Sequence, residues 1–235
     1  TQRIMSIDAI LKACPQVGWL LLVKLLPKLH DINEVTARPK IRDFMPKVSE
    51  KITYGMLQDF ESAIVNRALV AAGNNEDRII VLINTLASLQ PDSRKLIFAH
   101  VDNYLKTYQK VEGCEVWYAL KKEVSRHECF SDADWSMKPE ELALFTEIIE
   151  RNIPADPLAM DRQSFDDCLP VIGKNRDGAN KSVDPDQMRK EVLERVLLRD
   201  GVKGILRLAQ MVKLPALIVS LLEHTSISME QMFEL

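Results

Sequence analysis

The chain has 235 residues, 46% of them hydrophobic, and a formal net charge of −3 from 31 Lys and Arg against 34 Asp and Glu. High apolar content with little net charge excludes intrinsic disorder. The longest apolar run, residues 17–23, ends at Lys24, far short of the roughly 18 residues a membrane span needs. Eight glycines are about half the usual frequency of about 7%, which favours helices on short loops over sheets or Gly-rich phosphate-binding folds.

The elements follow at helical period. Residues 3–13 predict a first helix. Pro15 opens a second, about 15–26, where its missing N–H costs nothing. That segment is apolar almost all round (Val17, Trp19, Leu20, Leu21, Leu22, Leu25, Leu26), so cover on several sides is expected. Residues 27–47 hold Pro27, Pro39 and Pro46 and read as a long loop. A helix over about 49–72 presents Leu57, Phe60, Ile64 and Ala68. Asn74 and Asn75 end it and cap the next, about 76–89, with Ile79, Leu82, Ile83 and Leu86 inward. Pro91 opens a helix to about 111, with Ile97, Val101, Tyr104, Leu105 and Tyr108 on one face, and Gly113 breaks it.

A helix over about 114–127 turns Val116, Trp117, Leu120 and Val124 inward. After a connector, Pro139 starts a helix to about 152, with Glu140 and Glu141 suited to its dipole. Residues 153–183, with Pro154, Pro157, Pro170, Gly173 and Gly178, are the least regular stretch. Asp184 caps a helix with Pro185 first and Gln187 completing a box-like start, and Gly201 stops it. Helices over about 202–212 and 215–224 follow, and Ser228 with Gln231 opens another.

The fold class is therefore all-α, antiparallel helical hairpins stacked as an irregular α-solenoid or a compact multi-helix bundle. No repeat signature stands out. The expected division is a helical subdomain over 1–152, an irregular linker over 153–183 and helical hairpins over 184–235. The chain starts at Thr1 rather than Met and ends at Leu235 inside an amphipathic segment, so a fragment of a longer protein is expected. Cys14, Cys114, Cys129 and Cys168 have no CxxC spacing, pointing to free thiols in the cytoplasm.

Few constellations carry chemistry. The densest is Arg126, His127, Glu128, Cys129, Asp132 and Asp134, flanked by Phe130 and Trp135. A Cys–His pair could supply nucleophile and base, and His127 with the carboxylates could ligate a metal. The alternative is a capped helix end with Ser131 or Asp132 as cap and the rings anchoring the loop. Gly173 to Gly178 lacks the spacing and preceding strand of a phosphate loop. Arg38, Lys40, Arg42 and Lys47 could meet phosphates or an acidic partner. They could equally pair with the acidic side chains of 112–150, since residues 1–50 carry net +3 and 101–150 net −5. His30, His100 and His224 stand alone, and Met188, Met211, Met229 and Met232 read as core filler.

Two stretches carry a resemblance. One runs Cys14-Pro15 to Trp19, Leu25-Leu26-Pro27, His30-Asp31, Thr36, Arg38-Pro39 and Arg42-Asp43. The other is Trp117, Leu120, Arg126-His127, Phe130, Asp132-Ala133 and Trp135. Together they resemble the helical-repeat region of very long bacterial multidomain proteins, STAND-like sensors often linked to anti-phage defence. This chain departs from that pattern at Leu29, where it has Gly before the His, and keeps the aromatic after Arg-Asp as Phe44. The resemblance implies a recognition or assembly region, with catalysis in another domain and no catalytic residue here. The expectation is a non-enzymatic interaction or sensor module that binds a protein partner or another part of its own chain. Arg38, Lys40, Arg42, His127, Asp132 and Trp135 are the candidate contacts, with no cofactor, metal or membrane. The alternatives are an enzyme or metal site at His127–Asp134, or nucleic-acid contact through 38–47, against which the weak basic charge argues.

Overall fold

The computed structural model describes residues 2–28, 53–107, 115–166 and 184–222. These are all-helical, with no strand among them: α1 (Gln2–Ala13), α2 (Pro15–Leu25), α3 (Tyr54–Ala72), α4 (Glu76–Ile83), α5 (Pro91–Thr107), α6 (Glu115–Cys129), α7 (Pro139–Arg151), α8 (Leu158–Asp161), α9 (Pro185–Met211) and α10 (Pro215–Leu222). Packing largely follows chain order, α1 on α2, α2 on α3, α6 on α7 and α9 on α10. The chain forms two compact units, Thr1–Val101 and Asp102–Leu235, and their division falls within α5.

In the first unit, α1 and α2 are joined through Cys14, whose N–H donates to Ile10 O at 2.8 Å. The two helices approach closely at Gly18, where a Cβ would lie 2.8 Å from the Leu11 Cα. Only a glycine permits that distance. Among the described residues the all-round cover expected for α2 is not found: Trp19, Leu22 and Leu26 are buried, while Val17 and Leu20 are more than half exposed. One face of α2 packs and the other stays on the surface. The stripe on α3 is likewise buried only from Ile64 onward, and Leu57 is exposed.

The predicted Asn75 cap forms, accepting from the Arg78 N–H at 3.0 Å; Thr53, not singled out in the sequence, caps α3 by accepting from the Met56 N–H. The helix expected to reach residue 89 stops at Ile83, and a 3-10 turn, Leu86–Ser88, follows. Thr85 Oγ1 donates to Leu82 O at 2.7 Å, a local bond that competes with continued helix. Leu22, Ile64, Ile79, Leu82, Ile83 and Ile97 are fully buried, each stabilising the unit by about 1.5–3 kcal/mol.

In the second unit, the Trp117 indole N–H of α6 donates to Ile149 O of α7 at 3.0 Å. Residues 153–166, the described part of the stretch placed between two helical subdomains, hold α8 and a 3-10 turn, Arg162–Phe165. They are not extended linker. Leu158 and Phe165 are fully buried in one cluster with Val192, Leu193 and Val196 of α9 and Ile218 of α10. Such short elements cannot satisfy their own backbone, and side chains do it instead. Asp156 accepts from the Leu158 N–H and Arg189 Nε donates to Ser164 O, while Asp166 in turn accepts from the Lys213 N–H beyond α9.

Asp184 caps α9 through the Asp186 N–H. Gly201 breaks the helix as predicted, at φ 65° and ψ −161°, a region essentially closed to other residues, and helix resumes beyond it. Tyr108, Gly113, Cys114, Cys168, Ser228 and Gln231 lie outside the described residues.

Candidate functional site

The polar cluster singled out in the sequence sits where α6 ends and residues 130–138 turn back into α7. His127 is fully buried. Its Nδ1 accepts from the Met137 N–H at 3.1 Å, and Ser136 Oγ donates to its carbonyl at 3.0 Å. A ring nitrogen that accepts from a backbone N–H is unprotonated, so the neutral ring carries its proton on Nε2. Nε2 lies 3.3 Å from Glu123 Oε1, one helical turn back. That approach misses hydrogen-bond geometry, and both atoms are buried without another partner.

The rings complete the corner. Trp135 meets the His127 ring edge-on at 5.1 Å between centroids, and the Arg126 guanidinium lies 4.6 Å over the indole. Phe130 stands 6.0 Å from Trp135 but is half exposed. The apolar anchor of the turn is Met137, which is buried. Asp132 and Asp134 are exposed, and Ser131 Oγ donates to Asp132 at 3.4 Å.

This arrangement keeps both ring nitrogens from solvent. Cys129 lies two residues from His127 on the same helix, and side chains two apart on a helix do not face each other. Among the described residues, no group of three His, Cys, Asp or Glu side chains is disposed to hold a metal. Of the expected contacts, His127, Asp132 and Trp135 share this corner. Arg38, Lys40 and Arg42 lie outside the described residues, as do Lys47, residues 173–178, His30 and His224. His100 bonds Gly73 O at 2.8 Å in the first unit.

Beside the corner lies a groove of about 480 Å3, open to solvent, between the end of α6, the connector and α7. Pro139 and Ala143 are exposed along it, with Met137 and Leu142 buried at its base, and Glu128, Glu147 and Glu150 stand around it. Burial beside these apolar groups pushes the Glu128 carboxyl above its ordinary value. A second groove, of about 430 Å3, lies within the first unit between α1, α2, α3 and the start of α4, lined by Leu11, Pro15, Val70 and Ala71. There Arg67 grips Asp8 with two bonds, Nε–Oδ1 at 2.6 Å and Nη2–Oδ2 at 2.9 Å. The bond from Arg67 lowers the Asp8 pKa, against the effect of burial.

Glu123 and the α7 groove face were not singled out in the sequence. Both left a signal. Glu123 and His127 are spaced i, i+4, and Ala143, Thr146, Glu147 and Glu150 fall at i, i+3, i+4 and i+7, one helix face.

Comparison with protein-family models, with curated proteins and with solved structures gives no match for this chain. No described helix is long and apolar enough to cross a membrane.

Proposed function

We propose that the chain is a non-enzymatic helical interaction module that binds another protein or another part of a longer parent chain. The observation that carries this reading is the pair of open grooves with apolar surfaces, one within each unit. In the first unit, apolar side chains stay exposed among the described residues. Val70 in the first groove is 85% exposed, and Val17 and Leu20 of α2 are 57% and 63% exposed. Apolar patches rimmed by polar groups characterise partner sites. The histidine that an enzyme reading would recruit is instead engaged on the Met137 backbone.

The likeness of the Cys14–Asp43 and Trp117–Trp135 motifs to helical-repeat regions of large bacterial sensors extends the proposal. The module would be the recognition part of a cytoplasmic multidomain protein whose activity lies elsewhere.

The test is site-specific photo-cross-linking in source cells, with the cross-linking residue placed at position 70 or 143 and a control at the exposed Lys95. Discrete adducts from positions 70 or 143, absent from the control, are expected. Adducts from neither groove position overturn the interaction reading. Turnover that depends on His127 would replace it with the enzyme reading.

A further inference from the structure

The groove beside α7 has a shape, a length and a charge. Along α7 its wall consists of positions 139, 142, 143, 146, 147 and 150, a straight i, i+3, i+4, i+7 stripe. Eleven residues at 1.5 Å rise make the wall about 16 Å long, the length of roughly three helical turns. The opposite wall is short, made by Glu128, Ser131 and Met137. A trough of this length between a helix and a turn accepts a helix laid along it.

Among the described residues, every ionisable side chain lining the trough is acidic. Arg151 nearby is drawn to Asp102 at 2.5 Å and reaches Glu147 only at 3.7 Å. Among the described residues, Glu128 and Glu150 have no hydrogen bond or ion pair with any cation. The α7 C-terminus, next to Glu147 and Glu150, adds the negative end of its dipole. Carboxylates held beside an apolar surface without counter-ions are stabilised by cations that arrive with a ligand.

We infer that this trough docks a partner α-helix of about three turns that sets an apolar stripe on the exposed Pro139 and Ala143, over the buried Met137 and Leu142, and brings Lys or Arg to Glu128 and Glu150. The inference rests on the interaction reading and names the partner's chemistry. Charge and shape act together: the apolar stripe supplies affinity and the flanking cations fix its register. An acidic helix is repelled, and a flexible cationic chain without the stripe gains only screened surface attraction.

The probe is a labelled synthetic peptide with a Leu stripe at helical spacing and Lys at the flanking positions, titrated into the full chain by fluorescence anisotropy. Two control peptides carry the same residues in scrambled order, or Glu in place of Lys. Binding that is about tenfold or more tighter than either control is expected, with a peptide that becomes helical on binding. Ala143→Arg, at an exposed position, fills and recharges the trough and should weaken binding by about tenfold or more. Glu150→Lys should weaken it less, and more so at low salt. Circular dichroism of both variants checks that the fold persists. Equal binding of the scrambled peptide, or undiminished binding by folded Ala143→Arg, overturns the inference. A cellular partner cross-linked at position 143 through a segment without a cationic amphipathic helix also overturns it, while leaving the interaction reading standing.

Discussion

The two compact units bury different things. In the first, the described core is apolar, and Ser93 is the one polar side chain among its buried described residues. In the second, Glu123, His127, Asn152, Asp156, Asp161, Arg162, Asp166 and Arg189 are buried as well. The difference follows from regularity. Long helices such as α3 and α5 satisfy their own backbones, so their interior needs only apolar packing. The second unit folds residues 130–137 and 153–166 into its interior as tight turns, which expose N–H and C=O groups that side chains must satisfy. Arg162 shows the consequence. Burial opposes its charge, but its bonds to Glu115 and the nearby Asp166 and Tyr118 outweigh burial and raise its pKa.

If that contrast is right, the two units break by different means, and their own tryptophans report it, Trp19 in the first and Trp117 and Trp135 in the second. The largest effect is expected from Arg162→Ala. It leaves the fully buried Asp166 carboxylate without its cation and should cost about 3–5 kcal/mol in urea unfolding. A loss below about 1 kcal/mol would mean the network does not hold the unit. Leu82→Ala in the first unit, fully buried among aliphatic neighbours, should cost about 3 kcal/mol through its cavity. An aliphatic refill, Leu82→Met, should recover most of that loss, whereas Arg162→Met should not fully restore the second unit.

His127→Leu comes next. It keeps the apolar volume but leaves the Met137 N–H buried and unpaired, for about 1–3 kcal/mol. Amide exchange should quicken at Met137 first, and unchanged protection there would contradict the anchoring role.

The smallest effect has the opposite sign. Burial raises the folded-state pKa of Glu128 above its ordinary 4.5, so the folded state holds that proton more tightly than the unfolded chain does. Its contribution therefore favours folding at acid pH, falls as pH rises from about 4.5 through the folded pKa, and stays unfavourable at neutral pH. Glu128→Gln should raise stability at pH 7 by at most about 0.5 kcal/mol after solvent screening, with no gain below pH 4. The same substitution should weaken the cationic peptide, so that stability and binding move in opposite directions at one residue.

Much of this contrast is legible in the sequence and part is not. Pro15, Asn75, Pro91, Pro139, Asp184 and Gly201 announce helix ends through local chemistry, and each stands at an end or break of the structure. The corner at 126–137 is legible as a cluster of polar and aromatic side chains. Its wiring is not, because the Met137 N–H that engages His127 is ten residues away and leaves no periodic trace. The stretch 153–166 looks irregular because its Pro and Asp spacing is irregular. Its burial depends on α9 and α10, which meet Leu158 and Phe165 from more than twenty residues along the chain.

The sequence by itself determined the all-helical class, most helix starts and the acidic bias of 101–150, since these depend on residues within a turn or two of one another. Tertiary structure alone decided that α2 keeps one apolar face exposed, that His127 engages the Met137 backbone, and that the acidic bias lines a groove with an apolar surface. Each of those depends on which distant backbone or side chain arrives alongside, and hydrophobic periodicity specifies that a face is buried without specifying against what.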